Sequence, residues 1–193
     1  NEFFIGWVLF CWLLGTAFGS MLGSRLFGDP NGSFRLLAIC HVLTALLFPL
    51  TIILIRSGKM ILGVPSGALP EFIPSLLFSF VALVPLCGVL GVQFVVASKA
   101  RVSQSAGGGR EQAVGRVYFG ECLGSIAGGI VFSFVLVFSN EFRVAAVLAV
   151  INLAVACGIS RVFLKKKLLG ILALAAILFP LGLLMNSASL QQR

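Results

Sequence analysis

Charge is what this sequence has least of. Only 10% of its 193 residues are Asp, Glu, Lys or Arg, 6 of them acidic, and there is a single histidine and a single tyrosine. A water-soluble domain carries about a quarter charged residues, so a soluble globular class is excluded. One histidine cannot supply a bis-histidine haem site. The cysteines, Cys11, Cys40, Cys87, Cys122 and Cys157, all lie in apolar runs, and no two have the C-x-x-C spacing. Lacking His or carboxylate partners, they make no metal site and read as small buried hydrophobes. Neither a metal nor a cofactor is expected, and no catalytic motif stands out. Gly107-Gly108-Gly109 has no strand before it and no Gly-Lys-Ser/Thr after it, which makes it a flexible loop rather than a phosphate cradle. Basic residues exceed acidic ones, for a net charge of +8. They gather at the ends of apolar runs, as orientation signals in a membrane do, so nucleic acid is discarded as a partner.

What remains is apolar. Hydrophobic residues make up 59% of the chain and mean hydropathy is +1.11. A crossing needs about 20 mainly apolar residues, and the runs that qualify predict an all-α, polytopic membrane helix bundle of about six transmembrane helices. They lie near 3–22, 36–55, 71–97, 117–138, 144–162 and 168–185, in a single transmembrane domain over 1–193. The lipid bilayer is the first partner. Asn1-Glu2 is neither an initiating Met nor the basic start of a signal peptide, so a longer chain is expected around this one.

Glycine spacing organises the first and fourth segments. Gly15, Gly19 and Gly23 recur every four residues, as do Gly120, Gly124 and Gly128. Such a stripe lets a neighbouring backbone approach closely, which is how helices associate in lipid. The two helices are expected to pack against each other or against equivalent neighbours. Segment three holds Pro74, Pro85, Gly88 and Gly91 and is expected to kink, tilt or start in the interface; interrupted helices often line transporter sites. Pro49 should kink segment two. Segments four and five, joined by the short stretch Ser139 to Arg143, are expected to form an antiparallel hairpin.

Four polar residues inside apolar runs are candidate intramembrane sites. Glu121 is the only acid well within a run, and an ionisable group there is costly unless it faces protein or water. Gln93 lies in the segment expected to be broken. His41 sits near the start of its helix, where an interfacial imidazole is the plainer reading, and Asn152 is expected to bond across to another helix. On alternating sides, Arg25, Arg35, Lys99, Arg101, Arg110, Arg116, Arg161 and Lys165 to Lys167 collect together, leaving Arg56, Lys59, Arg143 and Arg193 opposite. Basic loops stay cytoplasmic, which puts the joints near 24–35, 98–116 and 161–167 inside and both ends outside.

The block VGRVYFGECLGSIAGGIVFSFVL resembles the G-R-x-Y-x-x-(N/E/D)-x-x-G-x-x-x-G helix in the membrane portion of bacterial spermidine-synthase-like proteins. FCWLLGTAFGSMLGSRL is similar to that family's F-L-x-G-x-x-x-G-S-x-x-G helix, and NSASLQQR to the polar lead-in to its synthase domain. The resemblance covers nearly the whole chain and also has the character of half a major-facilitator bundle. It implies a bacterial inner membrane and a non-catalytic domain that anchors or assembles a spermidine-synthase-like protein or a larger membrane complex. The partners it implies are other membrane subunits or a downstream soluble domain. Any aminopropyl transfer would belong to a soluble α/β domain that this chain does not supply. Two further functions fit the residues: half of a small-molecule transporter for a polyamine or another cation, and an accessory subunit of a respiratory membrane assembly.

Overall fold

The computed structural model describes residues 2–26, 30–65, 71–104 and 109–164; the expected sixth segment, Lys165 to Lys167 and the polar tail lie outside them. The described chain is all helical, with helices α1 Glu2–Arg25, α2 Pro30–Ile61, α3 Phe72–Gln104, α4 Arg110–Phe134 and α5 Glu141–Ile159. All five are long and apolar enough to cross a membrane. A 3-10 turn, Leu136–Phe138, follows α4, and a π-turn, Ser160–Leu164, continues α5.

Helix ends follow local chemistry. α2 starts on Pro30, whose fixed φ and missing N–H suit a first helical position. It ends in a Schellman turn: Val64 N–H donates to Lys59 O, Gly63 N–H donates to Met60 O, and Gly63 takes a φ of 66°. The Asn140 side chain accepts from Phe142 N–H at 2.9 Å and caps α5. α3 corrects an expectation, because it is one continuous helix rather than a broken one. Pro74 falls in its first turn, where the backbone N–H has no intrahelical partner to lose. Gly88 and Gly91 serve packing, as described below. α3 also runs past Ala97 to Gln104, through residues expected to form a joint. Lys99, carried on that extension, donates from Nζ to the carbonyls of Gly23, Ser24 and Leu26 at 2.7–3.0 Å. An ammonium on the last carbonyls of α1 opposes its helix dipole and satisfies groups the helix cannot.

α1 and α3 run parallel with their backbones in contact. A Cβ on Gly15 would lie 2.7 Å from Cys87 Cβ, one on Gly19 would fall on the Gly88 carbonyl, and one on Gly91 would meet Ser20 N at 2.9 Å. The α1 stripe is therefore buried, and its partner is α3. At one end of this pair the Trp7 indole donates to Leu76 O and Ser79 Oγ. α2 lies antiparallel to α3, Thr51 Oγ1 donating to Ala82 O at 3.4 Å. α5 presents Ala145, Ala146, Ala149, Leu153 and Ala156, all buried, to α2, where Ala45, Ala149 and Leu153 form a small core. Arg56 on α2 pairs with Glu141 on α5 and lies over the Phe142 ring; at the other end Phe34 and Phe163 stack at 4.0 Å.

α4 is the exception. Among the described helices it packs extensively only on α3, and Ala113 is its only described residue that is buried. The antiparallel hairpin expected of α4 and α5 is not formed, since the small-residue face of α5 is taken up by α2. Nor does the α4 stripe meet that of α1: a Cβ on Gly120, Gly124 or Gly128 would meet nothing within 4 Å.

Candidate functional site

His41, Gln93 and Glu121 come from three helices, yet each lies about 11 residues from the end marked by Pro30, Gln104 or Arg110. The short joints put those three ends on one side, so the residues share a depth roughly 16 Å in. Asn152, midway along α5, joins them there. Water is scarce at such a depth, and polar groups are expected to satisfy one another. His41 Nδ1 lies 2.8 Å from Asn152 Oδ1. The Asn152 amide donates to Leu148 O at 2.9 Å, so its oxygen is the acceptor and His41 Nδ1 carries the proton. In the neutral imidazole Nε2 is then an acceptor, with Gln93 Nε2 3.3 Å away. Thr44 Oγ1 stands 3.2 Å from Gln93 Oε1 and 2.9 Å from Cys40 O. Its single proton is shared between those two oxygens.

This Asn152–His41–Gln93–Thr44 chain pins α5, α2 and α3 together. Each member has a partner, so none carries the penalty of an unmet buried polar group. Asn152 bonds across helices as its mid-helix place suggests. His41 is less interfacial than its sequence position implies, because α2 begins at Pro30 and adds nearly two turns before it.

His41 and Gln93 also face a cleft of about 670 Å³ bounded by all five helices. Glu121 and Tyr118 reach it from α4, one turn apart; Trp12, Thr16 and Ser20 reach it from α1, spaced by four; Phe94 comes from α3. Thr16 Oγ1 donates to Trp12 O or Leu13 O, at 2.8 and 3.0 Å, and Ser20 Oγ donates to Gly91 O at 3.3 Å. Among the described residues Glu121 has neither a hydrogen-bond nor an ion-pair partner. The structure thus brings three of the four polar candidates, His41, Gln93 and Glu121, to one cleft, and ties the fourth, Asn152, to His41.

Sequence reasoning missed Trp12, Thr16, Ser20, Thr44 and Tyr118. Their signal is helical spacing: Trp12, Thr16 and Ser20 fall on one face at i, i+4 and i+8, and Tyr118 lies three residues before Glu121. No protein-family model, curated protein or solved structure matches the chain.

Proposed function

We propose that the chain is half of a small-molecule transporter and that the cleft between its five described helices is the solute chamber. The carrying observation is the cleft itself. It is about 670 Å³ in volume, within the range of small-molecule pockets, and its polar side chains converge at one depth in otherwise apolar helices. Helix bundles of transporters hold their substrates near the bilayer midplane in this way. The hydrogen-bonded chain behind His41 and Gln93 gives the chamber a fixed wall, and sparsely packed α4 gives it a wall with room to move. The distribution of basic residues supports an orientation with the joints near 24–35, 98–116 and 161–167 in the cytoplasm of a bacterial inner membrane.

The test is uptake by proteoliposomes of a panel of labelled small amines, carboxylates and sugars. At least one solute is expected to enter several-fold faster than into protein-free vesicles, and Ala97→Trp, which fills the cleft, is expected to abolish that excess. Uptake no faster than in protein-free vesicles for every solute contradicts the reading.

A second reading has its own observation. The open glycine face of α4 supports a domain that assembles with other membrane helices, as the resemblance to spermidine-synthase-like proteins implies. Partners retained in mild detergent and lost in Gly124→Ile favour that role; an unchanged set of partners removes it.

A further inference from the structure

We infer that the cleft takes an organic ammonium ion, held by the Glu121 carboxylate between the rings of Trp12 and Tyr118. This rests on the reading of the cleft as a solute chamber and names the class of solute. Three observations converge on it.

The first is charge. Among the described residues Glu121 is the one acid facing the cleft, and neither lysine nor arginine lines it. Its carboxylate has no partner among the described residues, although every nearby member of the polar chain has one. Glu121 is exposed on the cleft side of α4; an unpaired carboxylate at membrane depth calls for a counter-charge, and the cleft is where one can sit.

The second is hydrogen-bonding capacity. A hydroxyl has one proton and two lone pairs. Thr16 and Ser20 commit their protons to backbone carbonyls, so each can offer the cleft only lone pairs. Gln93 turns its amide N–H toward His41 and His41 its Nδ1–H toward Asn152. The wall is therefore rich in acceptors and poor in free donors. The donors left over are the second Gln93 amide N–H, the Trp12 indole and the Tyr118 hydroxyl, set against the Glu121 carboxylate and the lone pairs of Thr16, Ser20 and Tyr118. A carboxylate or phosphate would meet lone pairs and a like charge; an ammonium would meet matched acceptors.

The third is the aromatic lining. Trp12, Tyr118 and Phe94 reach the cleft, and ring faces attract cations through their quadrupoles, tryptophan most strongly. A carboxylate with aromatic faces beside it is selective for organic cations over both anions and neutral solutes.

Trp12 provides the readout. With Trp7→Phe, it is the only tryptophan in the chain. The purified protein in mild detergent is titrated with n-butylammonium, n-butanol and n-butyrate, which share a chain and differ in charge. n-Butylammonium is expected to change Trp12 emission saturably, with n-butanol at least tenfold weaker and n-butyrate without saturable effect. Glu121→Gln, whose unfolding temperature is checked against the parent, is expected to weaken n-butylammonium at least tenfold. Equal affinity for n-butyrate, or an unchanged affinity in Glu121→Gln, overturns the ammonium assignment and leaves the chamber standing. No saturable response to any of the three probes also overturns the ammonium assignment, and the chamber itself falls only if the uptake panel shows no excess for any solute.

Discussion

α1 and α4 carry the same pattern, three glycines four residues apart, with opposite outcomes. On α1, Gly15, Gly19 and Gly23 press against α3 so closely that a single added carbon would collide at Gly15 and Gly19 and crowd Val92 at Gly23. On α4, Gly120, Gly124 and Gly128 face open space. The pattern therefore states that a close approach is permitted; it does not name the partner. The partner is set by a complementary surface, and α3 supplies one with Gly88 and Gly91. Lys99 then adds a lock at the end of the pair, bonding three carbonyls of α1.

Two substitutions break this comparison. Gly19→Ile should act most strongly, because its side chain would overlap the Gly88 carbonyl and force α1 and α3 apart. Overpacking of a well-fitted core costs about 1–3 kcal/mol and occasionally more, and here the effect should lie at the upper end because the obstacle is backbone. The expected result is a large drop in unfolding temperature in mild detergent, or failure to recover folded protein. Gly124→Ile should act least. The added group meets nothing among the described residues, and its effect on the same unfolding measurement should stay within about 0.5 kcal/mol. If the two variants prove equally damaging, α4 has a close neighbour beyond the described helices.

The class of fold was legible because it rests on composition: apolar runs of about 20 residues leave few alternatives to spanning helices. Helix boundaries were less legible. Pro74 reads as a breaker, yet a proline in the first turn removes no hydrogen bond. Gly88 and Gly91 read as interruptions, and they turn out to be the receiving half of the α1 stripe. Lys99 reads as an orientation charge, and its stem carries it back along the helix to cap a neighbour. For the glycines and Lys99 the residue type was informative and its role depended on a contact 70 or more residues away in sequence.

The site was legible in the same partial way. Glu121, Gln93, His41 and Asn152 stand out because polar groups are rare in apolar runs. That His41, Gln93 and Asn152 form one hydrogen-bonded chain follows from a shared depth on three helices, which periodicity within one helix cannot reveal. Thr16 and Ser20 drew no notice because hydroxyls in membrane helices commonly bond back to their own turn, as Thr16 does here. Their position beside the cleft gives them meaning.

The contrast within α4 is sharper than the one between α1 and α4, and it bears on whether the cleft is a water-reachable chamber at all. Glu121 and Leu123 are both exposed and at nearly the same depth, but Glu121 lines the cleft and Leu123 does not. The decisive measurement compares Glu121→Cys with Leu123→Cys in bilayers, with Cys122 and Cys157 replaced by Ala, under a membrane-impermeant thiol reagent. Glu121→Cys is predicted to be modified at least tenfold faster than Leu123→Cys. No modification of Glu121→Cys would mean that water does not reach the cleft, and equal rates would mean that the cleft is no more accessible than the outer face of α4; either result contradicts the solute chamber.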